Sequence, residues 1–224
     1  SFFDLKKQEG LLRNLMIRIS KIGEIMVLVQ FFNDDSKKIN LLMSFIKDSF
    51  SEITSLLYTI NTKPNNTIYD QEIICYSGKN YIREKIENLT FKIGPKSFFQ
   101  TNSEQAFLLY SSVRKLANIK NNDVVYDLYT GTGTIAQFIS DQAKKVIGID
   151  SVPEAIDAAN ASAKNNNITN CIFYSGDMKN IFSDEFISKN GKPDIIITDP
   201  PRDGMHKKVV EQLLKILAKR IIYV

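Results

Sequence analysis

Residues 124–150 constrain the fold of this chain more than any other segment. An apolar run stops at Tyr129, a loop with Gly131 and Gly133 follows, and a short helical stretch leads into a second apolar run that ends in Asp150. This order is typical of a βαβ unit that opens a parallel sheet. The glycines have no Cβ, so the loop can turn sharply and let a ligand approach its backbone. The segment predicts an α/β protein with a ligand site at this loop.

The alternation of strand and helix signals continues to the end of the sequence. Apolar runs predict strands over residues 124–128, 146–149, 172–174, 195–198 and 220–224. Ser151-Val-Pro-Glu154 predicts a capping box with an early proline at a helix start. A further helix is predicted over 207–218, with these residues facing inward: Val210, Leu213, Leu214 and Leu217. Alternation of this kind implies a parallel sheet with right-handed crossovers, so we predict a Rossmann-like domain.

The residues before this sheet predict a small α+β module. The patterns favour a hairpin over 11–32, a helix over 39–50, a strand over 53–60, and further strands over 72–93 with a hairpin turn at Ser77-Gly-Lys-Asn80. Gly94 and Pro95 mark a change in composition, so we place one domain at 1–93 and the other at 94–224. A helix starting near Ser103 is predicted to bury one face: Ala106, Leu109, Tyr110, Val113, Leu116 and Ala117.

Composition excludes several classes of protein. With 43% hydrophobic and 24% charged residues, the chain fits a soluble globular protein, and its apolar runs are too short to cross a bilayer. No secretory signal opens the sequence, and Cys75 and Cys171 lack metal-ligand spacing. We therefore expect a cytoplasmic protein without a metal site. The net charge of +4 is compatible with nucleic-acid binding.

Acidic residues stand at the ends of four predicted strands: Asp127, Asp150, Asp177 and Asp199. One such aspartate is usually a helix cap or a turn residue, but four predict a ligand-binding rim, because ligands bind outside the carboxyl ends of parallel strands. Asp150 suits ribose hydroxyls and Asp177 suits an adenine amino group. Asp199-Pro-Pro places a rigid backbone where a reacting centre would lie.

Structural or solvated roles are predicted for the remaining notable residues. We expect His206 and the Lys207-Lys208 pair to be solvated. The aromatic pair and the two cysteines are expected to pack as apolar residues: Phe98, Phe99, Cys75 and Cys171.

The glycine loop, flanked by Asp127 and Asp150, resembles the loop of class I S-adenosylmethionine-dependent methyltransferases more than a dinucleotide site. Four segments are similar to the RNA uridine-5-methyltransferase family, and the resemblance extends over essentially the whole chain, including Leu12-Arg-Asn-Leu15. They are Lys92-Ile-Gly-Pro-Lys-Ser-Phe-Phe-Gln-Thr-Asn-Ser103, Asp127-Leu-Tyr-Thr-Gly-Thr-Gly133, Asp199-Pro-Pro-Arg-Asp-Gly204 and Arg220-Ile-Ile-Tyr-Val224. The resemblance implies S-adenosylmethionine as cofactor and a uridine of transfer or ribosomal RNA as substrate.

The resemblance also assigns roles to residues. It implies a cofactor site formed by Gln100, Asp127, Tyr129, Gly131, Gly133, Thr134, Asp150, Asp177 and Asp199. Asp199 would lie between cofactor and uracil and support catalysis. Thr134 replaces the asparagine usual in the family, and Asp150 replaces a glutamate.

The family mechanism requires groups that this sequence does not contain. A cysteine thiolate adds to uracil C6, C5 then attacks the methyl group, and a glutamate removes the C5 proton. That cysteine follows the strand matching 220–224, where this sequence ends. We therefore expect a central fragment that is inactive alone, without the family's β-barrel or iron–sulfur cysteines, and with an apolar edge at 220–224 that promotes association.

Two other functions are compatible with the same residues. Asp199-Pro-Pro also resembles the motif of methyltransferases that modify an exocyclic amine, although Arg202 stands where those motifs carry an aromatic residue. A non-catalytic RNA-binding module that retains the cofactor pocket is the alternative from a different class.

Overall fold

The computed structural model describes residues 1–224, which form two compact units. The first unit comprises Ser1–Lys85 and Lys92–Ser97, and the second comprises Ile86–Phe91 and Phe98–Val224. The chain passes from the first unit to the second for the last time after Ser97, four residues beyond the predicted boundary at residue 93. None of the seven helices combines the length and the apolar composition that a bilayer crossing requires.

The first unit is built on a mixed four-stranded sheet with one helix. Its elements are β1 (Leu12–Ile19), β2 (Ile25–Phe31), α1 (Ser36–Ser49), β3 (Ile53–Ile60) and β4 (Ile74–Gly78). The strand order is β1-β2-β3-β4, and only β2 and β3 run parallel, because α1 carries the chain back between them. Asp35 begins α1 by accepting a hydrogen bond from the Lys38 backbone N–H.

The predicted hairpin turn at Ser77-Gly-Lys-Asn80 is wrong. Strand β4 pairs with β3, whereas β5 (Ile82–Ile86) and β6 (Leu89–Ile93) form a separate two-stranded sheet. Gly78 has φ +80°, and a Cβ there would lie 2.2 Å from the Thr54 carbonyl oxygen. Its turn packs against the start of β3 and does not close a hairpin. Cys75, expected to be buried, is exposed on β4, which is an edge strand of the sheet.

The second unit alternates helices with parallel strands, as predicted. Its elements after β6 are α2 (Ser103–Ala117), β7 (Val124–Leu128), α3 (Thr134–Phe138), a 3-10 turn (Ser140–Gln142), β8 (Lys145–Asp150), α4 (Pro153–Asn165), β9 (Cys171–Ser175), α5 (Met178–Ile181), α6 (Asp184–Asn190), β10 (Ile195–Thr198), α7 (Lys207–Ile216) and β11 (Arg220–Tyr223). The strand order is β11-β10-β7-β8-β9, and every pair is parallel.

Both faces of this sheet are covered, which explains its nearly continuous apolar strands. Val125 and Ile195 contribute to a core shared with α2, α3 and α4. Tyr126 and Ile196 contribute to a second core shared with α5, α6 and α7. Alternate residues of one strand therefore enter opposite cores, as the period of two in a strand requires.

The start of α2 agrees with its prediction, whereas the start of α4 does not. The helix α2 starts at Ser103, as predicted, and Asn102 caps it through a hydrogen bond from the Gln105 N–H. The capping box predicted at Ser151 is absent: α4 begins after Val152, which makes no side-chain cap bond. The Val152 N–H donates instead to the Asp150 carboxylate at 2.9 Å.

Two predicted helix faces are partly wrong. In α2 the buried residues are Ala106, Tyr110, Val113 and Ala117, but Leu109 and Leu116 are 40% and 64% exposed. In α7 the buried residues are Val209, Leu213 and Ile216, whereas Val210, Leu214 and Leu217 are exposed. A leucine-rich helix offers more than one apolar stripe, and the sheet contacts select one of them.

Candidate functional site

The candidate site lies at the carboxyl ends of the strands in the second unit. From β7 the chain moves outward through β8 and β9, then returns to β10 on the other side of β7. The direction in which successive strands are added therefore reverses between β7 and β10. In open α/β sheets, this topological switch point leaves a crevice at the carboxyl ends of the strands, and ligands bind there. A pocket opens at this place.

The loop after β7 has an unusual backbone. Tyr129 adopts φ +63°, a left-handed conformation that is rare for an aromatic residue. Its neighbour Thr130 donates its N–H to the Ile149 carbonyl at 3.0 Å, which fixes the loop to the adjacent strand. Gly133 has φ +73°, and a Cβ there would lie 2.7 Å from the Phe173 ring. The loop thus requires glycine at this position for both conformation and space.

Asp127 is the most buried acid of the site, with 1% of its surface exposed. Its Oδ2 accepts hydrogen bonds from the Thr130 hydroxyl at 2.5 Å and the Ala136 N–H at 3.1 Å, whereas its Oδ1 has no partner. Burial, with smaller contributions from the Asp199 and Asp150 carboxylates, raises the pKa of Asp127 to about 7. The site therefore contains a buried acceptor that no group of the chain satisfies.

Asp150, at the end of β8, is engaged by the backbone of the loops beside it. Its Oδ2 accepts from the Gly131 N–H and its Oδ1 from the Val152 N–H, each at 2.9 Å. The side chain remains partly exposed. Each carboxylate oxygen has a second lone pair, so Asp150 keeps capacity for two further donors such as ribose hydroxyls.

The other two strand-end acids differ in environment. Asp177 is exposed, and its carboxylate caps α5 by accepting a hydrogen bond from the Lys179 N–H. It also forms an ion pair with the Lys179 ammonium at 2.9 Å, which holds the pKa of Asp177 below its usual value. Asp199 follows β10 directly and donates its N–H to the Leu128 carbonyl at 3.3 Å. Partial burial raises the pKa of Asp199.

The pocket brings together part of the predicted site. Six predicted residues line it: Gln100, Asp127, Tyr129, Gly131, Thr134 and Asp199. Gly133, Asp150 and Asp177 do not line it, although Asp150 contacts the loop through Gly131. The pocket therefore occupies the β7 and β10 side of the rim, and Asp150 and Asp177 extend the rim toward β9.

Sequence reasoning missed six residues that line the pocket: Phe98, Phe99, Tyr110, Thr130, Thr132 and Ile135. Phe98, expected in the core, is 75% exposed. Tyr110 belongs to the buried face of α2, where only its hydroxyl distinguished it from the alanine and valine residues beside it. A buried tyrosine hydroxyl usually finds a partner, and this requirement is the signal that could have identified it.

The remaining candidates lie away from the pocket. Cys171 begins β9, its Sγ donates to the Ala136 carbonyl at 3.6 Å, and burial raises its thiol pKa to about 12. Cys75 belongs to the first unit. His206 is exposed and caps α7 by accepting from the Lys208 N–H, in agreement with a structural role. No group of acidic, histidine or cysteine side chains could hold a metal ion.

Comparison with known proteins supports this description. Residues 119–224 match the family model described as a methyltransferase domain. An uncharacterized RNA methyltransferase of Porphyromonas gingivalis is 53% identical over 223 residues, and one of Bacteroides thetaiotaomicron is 54% identical over 227 residues. Each alignment includes the whole of this chain, which spans about half the length of these relatives: 48% and 50%.

A solved structure shares the architecture of the whole chain. It is the Pyrococcus abyssi tRNA (uracil-54, C5)-methyltransferase in complex with S-adenosyl-L-homocysteine, with a TM-score of 0.80 and 28% identity. The alignment covers 99% of this chain and 52% of that one. These comparisons agree with the predicted fold class and with S-adenosylmethionine as the predicted cofactor. The chain thus resembles RNA methyltransferases in sequence, and its second unit has the α/β fold of class I S-adenosylmethionine-dependent methyltransferases.

Proposed function

We propose that this chain forms the cofactor-binding part of an RNA methyltransferase that modifies C5 of a uridine in transfer or ribosomal RNA. The observation that carries the proposal is the pocket at the switch point, where Asp127 and Asp199 meet the glycine loop. The likeness to a tRNA uracil-C5 methyltransferase supports the choice of uridine.

The residues present fit S-adenosylmethionine. The unpartnered Oδ1 of Asp127 is a buried acceptor suited to an ammonium group, and the free lone pairs of Asp150 suit ribose hydroxyls. The cofactor supplies a methyl group on a positively charged sulfonium. The Asp199 carboxylate lines the same pocket and would favour that positive charge. Asp177 extends the rim on the adenine side.

The RNA base would enter beside Phe98. Phe98 presents an exposed aromatic surface at the pocket, on which an unstacked base can lie. Gln100 lines the same pocket and keeps the cofactor-binding role that the resemblance implies. Asp199 also lines this pocket. Its place directly after β10 suits a role at the reacting centre, as the sequence predicts.

Uracil chemistry also requires a nucleophile, because C5 alone is too weakly nucleophilic. A thiolate that adds to C6 would overcome this difficulty. Neither Cys75 nor Cys171 lines the pocket, and a thiol with a pKa of about 12 is not ionised at neutral pH. We therefore assign this step to neither of these two cysteines.

Transfer of a radiolabelled methyl group from S-adenosylmethionine to unmodified RNA by the full-length protein tests the proposal. We expect label in C5-methyluridine, with Asp199→Asn lowering turnover more than cofactor affinity. Asp203→Asn, at an exposed position that does not line the pocket, is the matched control. Label on an exocyclic amine, or cofactor binding without transfer to any RNA, would refute the uridine assignment.

A further inference from the structure

Tyr110 is the least expected residue of the pocket. It lies in the middle of α2, it is 5% exposed, and its ring packs against Phe138 with the centroids 5.8 Å apart. Its side chain nevertheless lines the pocket, and its hydroxyl makes no hydrogen bond within the chain. A hydroxyl that lines a pocket and has no partner in the chain is free to donate to a ligand group.

A second unsatisfied group lines the same pocket. Asp127 is buried and its Oδ1 has no partner. Tyr110, Asp127 and Asp199 line one pocket, and both carboxylates act electrostatically on the tyrosine hydroxyl. Burial and these carboxylates raise the pKa of Tyr110 to about 12, and the hydroxyl therefore remains a donor at neutral pH. The β7 and β10 side of the pocket thus offers the Tyr110 hydroxyl as a donor and the buried Asp127 Oδ1 as an acceptor, and neither has a partner within the chain.

We propose that Tyr110 is a positioning residue that donates its hydroxyl hydrogen to the α-carboxylate of S-adenosylmethionine, while Asp127 accepts from the α-ammonium group. This inference rests on the proposed function. An amino-acid zwitterion needs a donor and an acceptor side by side, which is what the two side chains offer. Because Asp150 at the end of β8 suits the ribose, the amino-acid end of the cofactor would extend toward β7 and β10, where Tyr110 lies.

Calorimetric titration of the full chain with S-adenosylhomocysteine and with its decarboxylated analogue tests the inference. Tyr110→Phe should weaken binding of S-adenosylhomocysteine by about 10- to 100-fold, as for loss of a hydrogen bond to a charged group. It should leave the affinity for the decarboxylated analogue unchanged. Tyr174→Phe is the matched control, because it removes a hydroxyl that donates to Asn190 Oδ1 at 2.7 Å and does not line the pocket.

The outcomes separate this inference from the proposed function. If the unsubstituted chain binds S-adenosylhomocysteine and Tyr110→Phe binds it equally well, the role of Tyr110 is refuted and the proposed function stands. An equal loss of affinity for both ligands would show a general packing effect and would also refute the carboxylate contact. If the unsubstituted chain binds neither ligand, the cofactor site itself is refuted.

Discussion

Asp127 combines two properties that proteins normally avoid together, near-complete burial and an oxygen without a partner. Such a group destabilises the fold when it is ionised, because burial penalises the charged form. The same property prepares the site for a cationic ligand, which would compensate the charge. Stability and ligand binding therefore compete at this residue.

The pKa of Asp127 predicts how stability changes with pH. The folded-state pKa is about 7, against an ordinary value of 3.8, so the folded chain retains a proton that the unfolded chain loses. The contribution of Asp127 to the free energy of unfolding should therefore fall as pH rises from about 4 to about 7, by at most about 4 kcal/mol. Urea denaturation at pH 5 and pH 8, compared with Asp127→Asn, measures this contribution. We expect Asp127→Asn to be the more stable protein at pH 8; a less stable variant at that pH would contradict the assignment.

Gly133 and Gly131 allow a comparison of two substitutions within one loop. Both have positive φ, but a Cβ on Gly133 would collide with Phe173 and Ala159, whereas a Cβ on Gly131 would meet no atom within 4 Å. Gly133→Ala should therefore lower the free energy of unfolding by about 2–4 kcal/mol, and Gly131→Ala by about 1 kcal/mol. Thermal or urea unfolding of the two variants measures the difference. Equal losses would mean that backbone strain alone, without the contact to Phe173, explains the glycine.

At the scale of elements, the strands were predictable and the helix faces were less so. Runs such as Ile195–Thr198 are apolar because both faces of the sheet are covered, so their pattern identifies them without further information. α7 is different, because Leu213 and Leu214 are adjacent and only packing decides which is buried. The pairing of β4 with β3 brings Gly78 opposite Ser55, residues that are 23 apart and carry no local signal.

The burial pattern of α7 leads to a direct test. Leu213 is 5% exposed and Leu214 is 68% exposed, so the same substitution should have very different effects. Leu213→Ala should lower the free energy of unfolding by about 2–4 kcal/mol, because it leaves a cavity beside β10. Leu214→Ala should change it by less than about 0.5 kcal/mol. Chemical denaturation of both variants provides the measurement, and similar losses in the two variants would contradict the observed burial and support the predicted inward face, which included both leucines.

For the whole molecule, the candidate site depends on parts that are distant in the chain. Asp127, Asp150 and Asp199 could be identified from the sequence because strand ends in a parallel sheet meet at one edge. Phe98 and Tyr110 could not, because nothing in their local pattern shows that the start of α2 and its buried face reach the same pocket. The chain spans about half the length of the relatives it matches.

Binding of S-adenosylhomocysteine by the chain, measured by isothermal titration calorimetry with NAD as the competing ligand, tests the central claim most directly. We predict saturable binding of S-adenosylhomocysteine at one site, with NAD bound at least about 100-fold more weakly. Asp150→Ala should weaken that binding by about 1–3 kcal/mol, because it removes an acceptor for the ribose and frees the Gly131 N–H. Absence of binding, tighter binding of NAD, or an unchanged affinity in Asp150→Ala would contradict a methyltransferase cofactor site at this rim.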